Sequence, residues 1–321
     1  MKRVGIFRSG AYGDLMFASS VFKGYKDLGW HVTLICAKPS NVIIFNDPNI
    51  DEILLHDMTI PQADLPKYWE DMSKNYDRFV NLSASIECEW LQLPGQPTYN
   101  YPFEVRKQLY DHNYLEHNHL LAQLENKNQI RFYPTNEEIE DVKQIKSTFK
   151  ETKTLVWVLS GSSVHKCNPH INTFIANMLK IEDLHIFLVG STDQDCLAAG
   201  LKNVDRVTSL TLLDIRTQYT FVQQYADVLC GPETGIMVAM CNEPFKKIVF
   251  LSHSTENMLT KDWINTTSLQ AKVEDLSCGG CCRYRLSEGD DVIKYENTQY
   301  ACCQALQPMH LAFESAVKTL L

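Results

Sequence analysis

The sequence predicts an α/β protein made of two doubly wound, parallel-sheet halves, and three observations carry that prediction. Short apolar runs alternate with helix-compatible stretches, which implies strands joined by crossover helices. The alternation restarts after residue 150. Two of the runs end in glycine turns: Val4-Gly5-Ile6-Phe7 leads into Arg8-Ser9-Gly10-Ala11-Tyr12-Gly13-Asp14, and Val228-Leu229-Cys230 leads into Gly231-Pro232-Glu233-Thr234-Gly235. A glycine turn between strand and helix is how α/β proteins build an anion-binding helix N-terminus, so two of them suggest two halves facing one cleft.

The elements follow in order. Residues 3–8, 31–36, 52–55 and 78–82 have strand composition, and 17–28 supplies the first crossover helix. The segment 91–133 breaks the pattern with Pro94, Pro97, Pro102 and the aromatics Tyr99, Tyr101, Phe103, Tyr110 and Tyr114. It reads either as an insertion that shapes a pocket or as a surface helical hairpin. Its histidines, His112, His117 and His119, have no metal-ligand spacing and are expected at the surface or on an acceptor side. A charged helix or linker over 135–150 precedes the second set: strands at 154–159, 185–189, 226–230 and 247–251, a helix at 171–179, and a last helix at 309–321 expected to pack back toward the first half. The organisation expected is therefore a Rossmann-like domain over 1–150, a second over 151–308 with a cysteine-rich tail at 276–304, and the terminal helix.

At 321 residues the chain suits two domains of about 150 residues. With 45% hydrophobic and 21% charged residues it matches a folded globular protein and not a disordered one. A net charge of −9 offers no general attraction to nucleic acid or anionic membrane. DNA binding then needs a local basic groove, for which Arg8, Lys23, Arg106 and Lys107 are the candidates. No apolar stretch approaches the roughly 20 residues of a membrane span, and the N-terminus has no secretory h-region, so a cytoplasmic location is expected, in the host cytoplasm if the gene is viral. A homo-oligomer is compatible with all of this.

Neither glycine turn has the dinucleotide G-x-G-x-x-G spacing, and the chain has no Walker lysine motif. Hydride transfer and P-loop hydrolysis lose ground. The turn Ser160-Gly161-Ser162-Ser163, with Lys166 just beyond, reads alone as a polar loop; paired with Thr234-Gly235 it becomes a cradle for a diphosphate, since amides and one ammonium neutralise a leaving phosphate without a metal. Glu233, an anion, suits a ribose hydroxyl or an N–H instead. Asp14 suits either a general base or a helix N-cap. Glu87, following a strand, either orients an acceptor or is simply solvated.

Taken in order and separation, the Gly13-Asp14 turn, the Ser160 to Lys166 segment, Phe187-Leu188-Val189-Gly190 and the Gly231 to Gly235 turn resemble the heptosyltransferase family (glycosyltransferase family 9). The Ser252 to Thr260 run and the cysteine tail are most similar to the bacterial autotransporter heptosyltransferase branch and related phage-borne glycosyltransferases. The resemblance implies the GT-B fold and inverting transfer from an ADP- or UDP-sugar to a hydroxyl of a saccharide, a protein or a hydroxymethylated DNA base. It implies Asp14 as general base; Tyr12 beside it, and Glu87 on its acceptor-orienting reading, are the acceptor-side candidates. Lys166 would assist departure of the diphosphate, with Gly13, Ser160, Gly161, Ser162, Ser163, Gly190, Glu233, Thr234 and Gly235 binding donor. One departure stands out: Val238 occupies the place of the family's usual histidine. The contrasting reading is a nucleotide- or nucleotide-sugar-binding α/β protein without turnover.

Of the eleven cysteines, Cys36, Cys88, Cys167, Cys196, Cys230 and Cys241 are scattered among apolar neighbours and read as small core side chains, whereas five cluster between 278 and 303. Cys278, Cys281 and Cys302 have the spacing to hold one ion, with Cys303 or Cys282 as a fourth ligand. In the autotransporter branch such a tail holds iron structurally; here tetrahedral sulfur suits iron or zinc, and reduced thiols without metal are the alternative.

Overall fold

In the computed structural model, residues 1–83, 97–125, 127–161, 164–201, 203–252, 254–276, 292–295 and 298–321 are described. Two compact units emerge, one of Met1–Glu89 with His112–Tyr133, the other of Trp90–Asp111 with Pro134–Leu321. Each is built on its own parallel sheet.

The first unit runs β1 (Arg3–Phe7), α1 (Tyr12–Asp27), β2 (His31–Cys36), β3 (Glu52–Leu55), α2 (Leu65–Ser73) and β4 (Arg78–Asn81). The strands lie in the order β3-β2-β1-β4, all parallel. Val4, Ile6 and Phe7 of β1 are fully enclosed because β1 is a central strand, covered on both faces. Helix α1 buries Leu15 to Phe22. It tolerates Ser19 and Ser20 there because their hydroxyls donate back to the Met16 and Phe17 carbonyls at 2.7 and 2.8 Å. At Gly24 a Cβ would run into the Leu124 side chain, so the absence of one lets α1 pack close to that segment.

Next in the chain, α3 (Phe103–Tyr110) belongs to the second unit and α4 (Tyr114–Ala122) to the first. His119, expected at the surface or on an acceptor side, is a buried tie: its Nδ1 faces the Leu115 carbonyl at 2.8 Å and its Nε2 accepts from the Asn128 N–H at 3.0 Å. That pairing identifies a neutral ring, and burial lowers its pKa. His112 is exposed and His117 half-buried.

The second unit continues with α5 (Asn136–Ser147), β5 (Lys153–Val158), α6 (Ile171–Met178), β6 (Leu184–Val189), β7 (Val207–Ser209), α7 (Ile215–Tyr225), β8 (Val228–Pro232), α8 (Gly235–Ala239), β9 (Lys246–Phe250), α9 (Glu256–Leu259) and β10 (Thr266–Leu269). A hairpin of β11 (Val292–Tyr295) and β12 (Thr298–Ala301) leads to α10 (Cys302–Ala305) and α11 (Met309–Leu320). The main sheet has the order β10-β9-β8-β5-β6-β7. Trp157 at its centre packs between Phe174 and Phe250, with ring centroids 5.0 and 5.5 Å away. Each such fully buried side chain stabilises by roughly 1.5–3 kcal/mol.

Two expectations about organisation change here. Helix α5 joins the second unit, not the first. A capping box between Thr135 and Glu138 starts it, and the same Glu138 grips Arg216 of α7 in a two-pronged ion pair, Nε to Oε1 at 2.5 Å and NH2 to Oε2 at 2.8 Å. Helix α11, expected to pack back toward the first half, supplies Ala312, Ala316 and Leu320 to the core of the second unit, because its apolar face matches the open flank beside β9 and β10. Among the described cysteines, Cys36, Cys230 and Cys241 are buried as expected, Cys167 is half-buried and Cys196 exposed; Cys88 lies outside the described residues. No described helix is long and apolar enough to cross a membrane.

Candidate functional site

Open parallel sheets bind ligands where neighbouring strands send their crossovers in opposite directions, at the carboxyl ends. In the first unit the chain winds from β1 to β2 and β3, then returns to place β4 on the other flank of β1, so the reversal falls between β1 and β4. The second winds from β5 to β6 and β7, then places β8, β9 and β10 on the other side, so the reversal falls between β5 and β8. Both glycine turns singled out in the sequence leave the sheets at these points.

The loop after β1 is shaped around Asp14. Gly10 has φ +136°, a conformation that L side chains rarely adopt, and an added Cβ would collide with the Asp14 carboxylate. Asp14 stands in the first turn of α1, where its Oδ2 accepts from the Ala11 N–H at 2.7 Å. Its Oδ1 lies 2.7 Å from the Arg8 guanidinium. The carboxylate keeps 19% of its side-chain surface exposed, whereas Arg8 keeps 3%. The loop after β4 runs alongside: Leu82 N–H donates to Phe7 O at 2.8 Å, and the hydroxyls of Ser9 and Ser83 stand 3.5 Å apart. Tyr12 and Gly13, half-buried, open α1. Glu87 lies outside the described residues.

In the second unit three of the predicted cradle residues, Gly161, Lys166 and Thr234, lie together. A Cβ on Gly161 would run into the aliphatic stem of Lys166 and stand 3.2 Å from Thr234 Cγ2, so the loops after β5 and β8 meet over this glycine. Thr234 precedes α8, and its hydroxyl oxygen is buried with no hydrogen-bond partner among the described residues. Lys166 forms no ion pair among the described residues. Ser160 is buried, its Oγ 3.2 Å from Cys167 Sγ, and burial pushes that thiol's pKa up. Ser162 and Ser163 lie outside the described residues.

Other predicted contacts are already engaged by the chain. The Glu233 carboxylate is buried and accepts from the Ser252 hydroxyl and the Ser254 N–H, so it braces the loop after β9. Gly190 (φ +147°) gives its N–H to Gln218 Oε1 at 2.8 Å and its carbonyl accepts from Gln218 Nε2 at 3.1 Å. Gln194 Nε2 donates to Gly161 O at 3.3 Å. Gln194 and Gln218 were not anticipated; glutamines carry no spacing rule, and Gln218 reaches Gly190 across 28 positions.

The four basic candidates differ in how they are engaged. Arg8 is buried against Asp14, Lys23 pairs with Asp27, and Arg106 is buried on α3 in the other unit, which leaves Lys107 exposed. Among the described residues no group of three or more His, Cys, Asp or Glu side chains is placed to hold a metal ion. Cys278, Cys281 and Cys282 lie outside the described residues, and Cys302 and Cys303 open α10.

No protein-family model matches the chain, and no curated protein matches it in sequence. Solved structures do. The ADP-heptose lipopolysaccharide heptosyltransferase II of Escherichia coli is similar with a TM-score of 0.65 over 100% of this chain and 98% of its own, at 14% identity. A glycosyltransferase family 9 protein from Veillonella parvula gives 0.64 over 99% and 97%, at 12% identity. The dodecameric, iron-containing heptosyltransferase TibC, solved with ADP-D-β-D-heptose, gives 0.55 over 99% and 77%, at 11% identity. At these identities the likeness is one of fold. The chain has the two-sheet architecture of GT-B glycosyltransferases, as the resemblance in its sequence implied.

Proposed function

We propose that this chain is an inverting glycosyltransferase that moves a sugar from a nucleoside-diphosphate donor held by the second unit to a hydroxyl acceptor on the first. The observation that carries the reading is the convergence of Gly161, Lys166 and Thr234 at the reversal point of the second sheet, with a cation and a buried hydroxyl available to an anion. The solved structures support it by fold, and TibC by the ADP-sugar in its complex.

In this reading the acceptor oxygen attacks the anomeric carbon and Asp14 takes its proton, while the bond to the diphosphate breaks and its electron pair leaves on the phosphate oxygen. Proton transfer of this kind contributes ~10²–10⁴-fold. Lys166, the Ser160 to Ser163 backbone amides, Thr234 and the Gly235 N–H offset the charge on the departing diphosphate. Glu233 serves as a brace for that loop and not as a phosphate ligand. The cysteines at 278, 281, 302 and 303, with 282, would hold a structural iron or zinc, since the transfer needs no thiolate; metal analysis of the purified protein tests this directly.

Replacement of Asp14 by asparagine tests the mechanism. The expected result is donor binding within threefold of the unmutated protein and transfer reduced at least ~100-fold. A non-catalytic binder is the second reading, favoured by the helix-capping pose of Asp14; it predicts no transfer by the unmutated protein. Asp14→Asn that retains full transfer refutes the base assignment.

A further inference from the structure

At the end of β1 the chain buries an arginine whose placement helix capping does not explain. A first-turn carboxylate satisfies its helix by accepting one orphan N–H, and Asp14 Oδ2 does so with Ala11. The other oxygen, Oδ1, is held at 2.7 Å by Arg8, a guanidinium with 3% of its side chain exposed. Burying a guanidinium costs several kcal/mol, and an apolar residue ending a central strand avoids that cost. The Arg8 backbone is itself fixed, with its N–H on Ile35 O at 3.0 Å, so the side chain springs from the rigid edge of the sheet. Gly10 supplies the space that the carboxylate fills.

Three separate features thus converge on one side chain: the shape of the turn, a backbone donor and a buried cation. Two of them, the turn and the donor, are enough for a cap. The cation adds a third constraint that stops rotation of the carboxylate about its last bond. About a fifth of the side chain stays exposed, and that is where a hydroxyl can reach the carboxylate. We propose that Arg8 is a positioning residue for sugar transfer, holding the Asp14 carboxylate in the one orientation from which it accepts the acceptor's proton. The inference rests on the glycosyltransferase reading. Its chemistry is the general one that a base displaced by about 1 Å loses on the order of 10²-fold in rate.

The test uses the full-length protein with ADP-D-β-D-heptose and a panel of ADP- and UDP-hexoses as donors. A lipopolysaccharide core saccharide and a serine-rich peptide serve as acceptors. Arg8→Gln is expected to lower kcat about 30- to 100-fold with both KM values within threefold, and Arg8→Lys to recover a large part of the loss because an ammonium still reaches Oδ1. Guanidinium ion added to Arg8→Ala is expected to raise kcat without moving the melting temperature. Asp14→Asn is the companion variant, since alanine at 14 leaves the buried guanidinium facing a void. If Arg8→Gln fails to fold, Arg8→Lys decides, with kcat reduced at unchanged KM as the supporting result. Arg8 variants with unchanged kcat, or with only the acceptor KM raised, overturn the positioning role while an inactive Asp14→Asn leaves the transferase reading standing. No transfer by the unmutated protein overturns both.

Discussion

Lys247 offers a quantitative test of the second unit. It sits in β9 with no exposed surface, and its ammonium donates to Glu243 O at 2.6 Å and Phe245 O at 3.0 Å while lying 5.1 Å from the Phe245 ring centroid. Burial pulls its pKa from the ordinary 10.5 down to about 8, against the opposing influence of Cys241 and Glu243. At about 1.4 kcal/mol per pH unit, that difference corresponds to about 3 kcal/mol. The sign follows from proton counts. Between the two pKa values the unfolded chain still holds the proton and the folded one has released it, so stability rises with pH across that window and is flat below about pH 8. Lys247→Met removes the dependence. Urea unfolding of both proteins at about pH 7.5, 9 and 10.5 is expected to show the unmutated protein gaining about 3 kcal/mol relative to the variant, every other titrating group cancelling in the difference. A difference that stays constant within about 0.5 kcal/mol refutes the reasoning, because the lysine would then be as well solvated folded as unfolded.

Two further outcomes are accessible. Gly161→Ala is expected to push the flexible Lys166 stem out of the cradle, weakening donor binding about tenfold by calorimetry with the melting temperature nearly unchanged, since the obstructed group is a mobile side chain and not backbone. Unaltered donor affinity would remove Lys166 from the site. Asp47 is buried with Oδ1 accepting twice from Asn49 at 2.8 Å and Oδ2 without a partner among the described residues, and burial raises its pKa to about 6. A raised carboxyl stabilises the fold at low pH, and that contribution disappears as pH climbs through 6. Asp47→Asn should therefore stabilise the first unit by about 2 kcal/mol at neutral pH and by little near pH 4; equal effects at both pH values would count against it.

Much of this architecture was legible because central strands bury both faces and leave continuous apolar runs, as in Leu155 to Val158 and Ile186 to Val189. Edge strands hide. Neither β7 nor β10 was anticipated: Val207-Thr208-Ser209 and Thr266-Thr267-Ser268-Leu269 are short, hydroxyl-rich and half-exposed, so nothing in their composition separates them from a loop. Unit membership was hidden for a different reason. Helix α5 packs along α7, where Glu138 pairs with Arg216, residues 78 apart, and no periodicity reports a contact at that range. The candidate site divides the same way. Gly10, Asp14, Gly161 and Thr234 were found because turns have local chemistry, whereas the Arg8–Asp14 pair and the Gln218 clasp on Gly190 appear only once the strand ends are placed.

The two ends of the second sheet also differ in how their charges are used, and that difference bears on which end is functional. At the amino end, Arg206 donates to the Leu179, Ile181 and Leu184 carbonyls, and His185 bridges Glu151 and Thr208. The Asp227 carboxylate there accepts from the Thr154 N–H, and Asp183 from the Thr152 N–H. Those groups are consumed in closing the fold. At the carboxyl end, beside the reversal between β5 and β8, among the described residues Lys166 stands without an ion pair and the buried Thr234 hydroxyl without a partner. An unmatched buried hydroxyl costs on the order of 1–3 kcal/mol, a cost that binding an anion there removes. Replacing Thr234 by valine keeps its shape and removes that cost, so the expected result is a protein as stable or more stable that binds nucleoside diphosphate at least about fivefold more weakly. A destabilised variant with undiminished diphosphate binding would mean that the hydroxyl serves the fold, and the carboxyl end of this sheet would lose its claim to the donor.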